Sequence, residues 1–280
     1  MSKTRWGVVF VAAIAVAGLA TAVSATEHEQ WPVPGYKSVQ PQEGNPLPEL
    51  ISGYWFRTAE VRALQDDDFE NPGFLWVERG EELWNTKDGE ANKSCADCHG
   101  AAEESMKGVG ASYPKWFEPL GKPVNLEQRI NICRENNQKA KPWKWESEEL
   151  LAMTTYIKYQ SRGMPMNIDI SGPMKEWWER GKKEYYQRRG QLDMSCANCH
   201  EGYYGHKIRA DTLSQGQING FPTYRLKWQK IGSLHRRFRG CNKQIRATPN
   251  PYGDDEYIAL EVYLAWRGMG LPVETPAVRQ

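Results

Sequence analysis

The chain has 280 residues, a formal net charge of +1, and charged side chains at a quarter of its positions. A balance this close to zero argues against a nucleic-acid binder, which needs a basic excess. Mean hydropathy is low for this length, so side chains alone make a thin apolar interior.

The chain opens with Lys3 and Arg5, then an apolar stretch from Gly7 to Ala22, then Val23-Ser24-Ala25 before Thr26. That tripartite form predicts a secretory signal over 1–25. An uncleaved anchor is the alternative, because the stretch approaches spanning length. The small residue at Ala25 and the polar run from Glu27 favour cleavage, which makes the mature chain periplasmic and free of the membrane. The segment from Glu27 to Pro48 is rich in Pro and Gly. With it, 26–57 reads as an extended arm with no core of its own.

Two motifs then carry the chemistry: Cys95-Ala96-Asp97-Cys98-His99 and Cys196-Ala197-Asn198-Cys199-His200. C-x-x-C-H is the attachment signature of a c-type haem. Two thiols add across the vinyl groups of one porphyrin, and the adjacent imidazole binds iron. Cys95, Cys98, Cys196 and Cys199 are therefore candidate thioether positions, and His99 and His200 candidate axial ligands. A pair of zinc or redox C-x-x-C sites is the alternative. Two haem c groups also supply apolar bulk that the side chains lack, and the chain's 12 tryptophans suit flat aromatic cofactors.

The motifs sit in a repeat. Trp76-Val77-Glu78-Arg79-Gly80 recurs as Trp177-Trp178-Glu179-Arg180-Gly181, and Ser94-Cys95-Ala96 as Ser195-Cys196-Ala197, both offset by 101. Tyr113-Pro114 matches Phe221-Pro222, and Arg129 with Cys133 matches Arg237 with Cys241, offset by 108. An insertion within Glu201 to Gly220 explains the difference. Each half closes on Arg-Gly-Met, at Arg162 and at Arg267. The parse is a tandem duplication, with one domain over 58–166 and a second over 167–280.

Each half reads as mainly α. A helix carries the Trp-x-Glu-Arg-Gly element before the motif, and a last helix follows the lone later cysteine. Ser147 is a predicted N-cap with Glu148 and Glu149 in the first turn. Leu150, Met153, Thr154 and Ile157 give that helix one apolar-leaning face. In the second half Asp254 caps, and Ile258, Val262 and Ala265 make the matching face. Small helical domains wrapped around haem resemble the class I cytochrome c fold.

Cys133 and Cys241 remain, at the same position of each repeat. Three readings stay open. They form a disulfide with each other. They are inert thiols, with Met164 and Met269 as sixth ligands; those methionines lie beyond the last helix, where a ligating methionine is unusual. Or each thiolate is the distal ligand of its own haem. His28, His206 and His235 occupy no repeated position and read as surface or structural.

Arg129 and Arg237 each stand four residues before their cysteine, on one helix face. Around Cys241 run Arg236, Arg237, Arg239, Lys243 and Arg246 with no acid among them, whereas Glu127 and Glu135 offset the cations near Cys133. A cationic cradle attracts small anions, and Arg grips an oxyanion with two parallel hydrogen bonds. The second half is therefore the candidate for chemistry and the first for electron storage. A docking patch for an acidic partner is the other reading of the basic run.

A duplicated c-type cytochrome with one lone cysteine per repeat, and Arg237-Phe238-Arg239-Gly240-Cys241-Asn242 in the second, resembles the SoxA family of sulfur-oxidation cytochromes. The resemblance covers nearly the whole mature chain, and the retained Cys95, Cys98, His99 and Cys133 match the dihaem form. It implies a small monohaem partner, SoxX, a substrate, thiosulfate, and a carrier protein, SoxYZ, whose cysteine becomes a cysteine S-thiosulfonate. Two electrons pass to a c-type cytochrome. It also implies that Cys241 is the active-site cysteine, held as a persulfide and ligating the haem of Cys196 and Cys199. Arg237 then matches the substrate-binding arginine, and Cys133 the distal ligand of the first haem. A thiosulfate dehydrogenase forming tetrathionate and a non-catalytic dihaem electron carrier are the competing functions.

Overall fold

The computed structural model describes residues 30–280. The expected signal over 1–25, the start of the arm and His28 lie outside the described residues. Strand β1 (Ser38–Val39) pairs antiparallel with β2 (Leu50–Ile51). Helices α1 (Ala59–Asp66) and α2 (Phe74–Asn85) follow, then α3 (Ala96–His99) with the first C-x-x-C-H, and α4 (Ala102–Ser105). A hairpin of β3 (Lys115–Phe117) and β4 (Lys122–Val124) feeds α5 (Leu126–Cys133), and α6 (Glu148–Tyr159) completes the first half. The second half has α7 (Met174–Tyr186), α8 (Cys196–His200) with the second motif, and a short hairpin of β5 (Lys207–Ile208) and β6 (Asp211–Thr212). A further hairpin, β7 (Thr223–Arg225) and β8 (Lys230–Gly232), feeds α9 (Leu234–Gln244) and α10 (Asp255–Arg267). Strand β9 (Ala277–Arg279) lies parallel to β7.

Two helix crossings organise the molecule: α2 on α6 and α7 on α10. The glycine that ends each Trp-x-Glu-Arg-Gly element makes them. A Cβ at Gly80 would stand 2.4 Å from the Ala152 carbonyl oxygen, and one at Gly181 1.9 Å from that of Ala259. Only a hydrogen lets the backbones approach so closely. The arginine before each glycine pairs with the first turn of the facing helix, Arg79 with Glu148 at 3.6 Å and Arg180 with Glu256 at 2.9 Å. Both predicted caps are present. Ser147 Oγ accepts from the Leu150 amide, and Asp254 Oδ1 from the Glu256 amide.

The last helices are buried more completely than one apolar face requires. All residues from Leu150 to Ile157 are buried, and all from Tyr257 to Arg267. The halves share cores: Leu151 of α6 packs with Val61, Tyr224, Ile231 and Val278. A polar seam lies beside it. Asn125 Nδ2 donates to Glu261 Oε2 over 3.1 Å, and His235 Nε2 stands 3.4 Å from the same carboxylate. His235 is structural: Gly253 N–H donates to its Nδ1, and Trp145 stacks on the ring at 4.9 Å.

The arm is docked: Leu47 and Leu50 pack with Leu271 of the C-terminal segment, and Asn45 Nδ2 donates to the Arg267 carbonyl over 2.9 Å. One expectation is corrected. The two Arg-Gly-Met runs are not equivalent. Arg162 falls in the turn after α6, paired with Asp68, whereas Arg267 is the last residue of α10 and fully buried. The extra length of α10 carries Arg267 inward.

Candidate functional site

Each C-x-x-C-H sits on a short helix held open by its own sequence. Ser94 N–H donates to Asp97 Oδ2 (2.8 Å) while Asp97 N–H donates to Ser94 Oγ (3.0 Å). Ser195 and Asn198 close the corresponding box, with Ser195 N–H to Asn198 Oδ1 at 2.8 Å. The residue between the cysteines therefore fixes the helix start that presents both thiols. The S-x-x-D/N spacing was readable beforehand, and sequence reasoning overlooked it.

His200 is oriented from behind. Its Nδ1 lies 2.7 Å from the Ser214 carbonyl oxygen, so Nδ1 carries the proton and Nε2 keeps its lone pair. A Cβ at Gly216, where φ is +73°, would reach 2.8 Å from His200 Cγ. The insertion expected between Glu201 and Gly220 thus forms the seat of this imidazole. Burial, chiefly, holds the His200 pKa down at about 4; the Ser214 bond opposes this, and Arg237 adds to it. The ring is neutral at physiological pH, as a metal ligand must be.

Each lone cysteine lies near a different C-x-x-C-H motif. Burial pushes the Cys95 thiol up to about 11, with nearby Cys133 adding to the shift. Burial pushes Cys196 up to about 12, and there the nearby sulfur is Cys241. Cys199 is raised by the same two causes, against the charge of Arg237. All six cysteines are free, so Cys133 and Cys241 form no bridge. Met269 packs against the core formed by α7 and α10. Among the described residues no group of three or more His, Cys, Asp or Glu is placed to hold a metal ion. The donor set fits a covalently held haem: paired thiols on one helical turn, an imidazole with a free Nε2, and a sulfur from a separate helix.

The two arginines that match by position do different things. Arg129 Nη1 donates to Cys133 Sγ over 3.1 Å, and its guanidinium lies 5.1 Å from the Phe117 ring centre. The Arg237 guanidinium makes no hydrogen bond or ion pair among the described residues, and its charge acts on Cys199, His200, Asp211 and Arg225. The rest of the basic run is not a cradle. Arg236 pairs with Glu146 (3.3 Å), Arg239 donates to the Asn250 carbonyl and lies over Tyr252, and Arg246 reaches Gln191 (3.4 Å). The cations that join Arg237 come from elsewhere. Arg57 and Arg225, both buried, clamp Asp211 at 2.6 and 2.8 Å. No local signal in the sequence marked them.

The fold and these pockets define a c-type cytochrome, and the family model described as SoxA/TsdA, cytochrome c domain, matches residues 79–166. The chain is 54% identical to the L-cysteine S-thiosulfotransferase subunit SoxA of Pseudaminobacter salicylatoxidans, over 85% of this chain and 84% of that one. It is 49% identical to the protein of that name from Rhodovulum sulfidophilum, over 82% and 80% of the two chains. Superposed on the crystal structure of SoxXA from P. pantotrophus, it gives a TM-score of 0.81 at 45% identity, covering 84% of this chain and 88% of that one. The chain belongs to the SoxA family. No helix among the described residues is long and apolar enough to cross a membrane.

Proposed function

We propose that the chain is the catalytic cytochrome subunit of an L-cysteine S-thiosulfotransferase that couples thiosulfate to a cysteine of the carrier SoxYZ. The carrier thiol gives up its proton, one sulfur–sulfur bond forms, and two electrons leave, ending on a c-type cytochrome. The product is the cysteine S-thiosulfonate. The small monohaem cytochrome SoxX is the partner subunit.

The chain is a tandem repeat of one class I cytochrome c-like domain, over 58–166 and 167–280, behind the arm of 26–57. A cleaved signal over 1–25 directs it to the periplasm. It holds two haem c groups, by thioethers at Cys95 and Cys98 and at Cys196 and Cys199. His99 with Cys133, and His200 with Cys241, would supply the iron ligands of the two groups. Bound haem supplies the electron acceptor beside Cys241. Arg237 holds the sulfonate end of thiosulfate with its terminal sulfur toward Cys241; loss of the two electrons joins these sulfurs, and the deprotonated carrier thiol then attacks the thiosulfate sulfur and displaces the Cys241 thiolate.

One observation carries this reading: the Arg129 guanidinium is held by Cys133, while that of Arg237 has no hydrogen-bond or ion-pair partner among the described residues, beside the second motif. Cys241→Ala is expected to abolish carrier coupling while both haems stay covalently attached, as mass spectrometry of the intact chain would read. Undiminished coupling in that variant ends the proposal. Tetrathionate formed from thiosulfate without any carrier would instead favour a thiosulfate dehydrogenase.

A further inference from the structure

The arm precedes the first domain in the chain, yet its polar groups are bound to the second. They attach in two places. The first is Gln215, a fully buried residue. Its Oε1 accepts from the Ile51 amide over 2.8 Å, and its Nε2 donates to the Glu49 carbonyl over 3.1 Å. The side-chain amide thus stands in for a strand beside β2 and satisfies the edge that β1 leaves open. The second place is the end of α10, where the last carbonyls of a helix lack intrahelical donors. Gln42 Nε2 donates to the Trp266 carbonyl, and Asn45 Nδ2 donates to that of Arg267 over 2.9 Å.

Both attachments converge on one segment. Arg267, held at its main chain by the arm, turns a fully buried guanidinium back on Gln215. Its Nη1 donates to the Gln215 carbonyl over 2.6 Å, its Nη2 lies 3.5 Å from the His200 carbonyl oxygen, and its Nε lies 3.5 Å from the Glu201 carboxylate. Gln215 is therefore gripped at its side chain by β2 and at its carbonyl by Arg267. The residues on either side of it seat His200. The Ser214 carbonyl oxygen lies 2.7 Å from Nδ1, and Gly216 lies against the ring. Arg162, the matching arginine of the first half, pairs with Asp68 instead.

A carbonyl aimed at Nδ1–H fixes the tautomer and makes Nε2 more basic, which favours ferric iron and lowers its potential. The strength of that bond depends on length and angle, so whatever holds Ser214 to Gly216 sets it. We infer that Gln215 and Arg267 are positioning residues for His200, and that the arm, by holding both, tunes the potential of the haem at Cys196 and Cys199. The inference rests on the reading of His200 as an iron ligand of that haem. It extends control of the ligand to arm residues as distant in the chain as Gln42.

The test is a redox titration of the full chain in its haem-loaded complex with SoxX, followed by electron paramagnetic resonance. The second haem is the low-spin ferric signal that Cys241→Met alters. Gln215→Met keeps the buried bulk and removes both bonds to β2. Arg267→Lys keeps the charge but loses the fork that reaches Gln215, His200 and Glu201 together. Gln42→Ala combined with Asn45→Ala frees the end of α10 from partly exposed positions, and it decides the matter should the buried variants not fold. Each is expected to shift the potential of the second haem upward and to change its resonance, while the haem at Cys95 and Cys98 stays as in wild type. A merely structural role would lower stability and move neither haem, or both alike. Either of those outcomes, or a downward shift, overturns this inference alone. Wild-type protein without haem at Cys196 and Cys199, or a Cys241→Met variant that alters no signal, overturns it together with the reading beneath it.

Discussion

Arg129 and Cys133 are one helical turn apart and joined by a hydrogen bond of 3.1 Å, a contact that Arg237 and Cys241 lack. The difference predicts unequal responses to the same substitution. Arg129→Met removes a charged donor from a partly buried sulfur and is expected to lower unfolding free energy by about 1–2 kcal/mol. Arg237→Met removes no side-chain hydrogen bond or ion pair among the described residues, so stability should move by less than about 0.5 kcal/mol while thiosulfate binding is lost. Denaturant unfolding and calorimetry on both variants check the pair. Equal destabilisation would mean that Arg237 is structural.

The crossing glycines admit no side chain. Gly181→Ala would drive a methyl into the Ala259 carbonyl at 1.9 Å, and Gly80→Ala one into that of Ala152 at 2.4 Å. The obstacle is main chain, so trimming the facing alanine gives no relief. Each variant is expected to lose about 3 kcal/mol or more, or to fail to fold. A thermal midpoint within a few degrees of wild type would show that the helices slide apart freely.

Gly216→Ala tests the seat of His200. Alanine at φ +73° is strained by about 1 kcal/mol, and its Cβ meets the ring at 2.8 Å. The imidazole must tilt away from the Ser214 carbonyl. The expected outcome is reduced haem retention at Cys196 and Cys199, with Cys95 and Cys98 unaffected, as read by mass spectrometry of each half after proteolysis.

The seam between the halves makes stability depend on pH. Burial, and then the neighbouring Glu261, pushes Glu127 from its ordinary 4.5 to about 8, while Lys158 opposes the shift. Lys158 is itself held down by burial. Glu146 adds to the negative field, and His235 faces Glu261 from α9. A carboxyl raised in the folded state is protonated there when the unfolded chain has already lost its proton. Its contribution is therefore intact below about pH 4.5 and is lost as pH climbs toward 8. Glu127→Gln should flatten that part of the stability curve and be the more stable form at pH 8. A parallel curve for both proteins would refute the assignment.

The helix caps were legible because they depend on neighbours a few residues apart: Ser147 and Asp254 act where local pattern puts them. Gly80 and Gly181 were visible as a repeated letter, but their reason, the carbonyls of Ala152 and Ala259, lies on a distant helix. The breadth of burial on α6 was hidden, because residues of β7, β8 and β9 cover its second side. The Arg-Gly-Met match misled for the converse reason: three identical letters carry no information on helix length. The basic run near Cys241 looked like one feature, yet Arg236 and Arg239 are occupied by Trp228, Glu146 and Tyr252. Arg57 and Arg225 join Arg237 only through tertiary folding, so one-dimensional reasoning had no route to them.

The clamp on Asp211 also bears on when each pocket matures. The α2–α6 crossing draws on residues 74–159, whereas the Asp211 wall needs Arg57, Arg225 and Gln280 together. Loops that long close slowly. The first helix pair is thus free to dock early, and the wall that joins Arg57, Arg225 and Gln280 around Asp211 closes as one of the final events of folding.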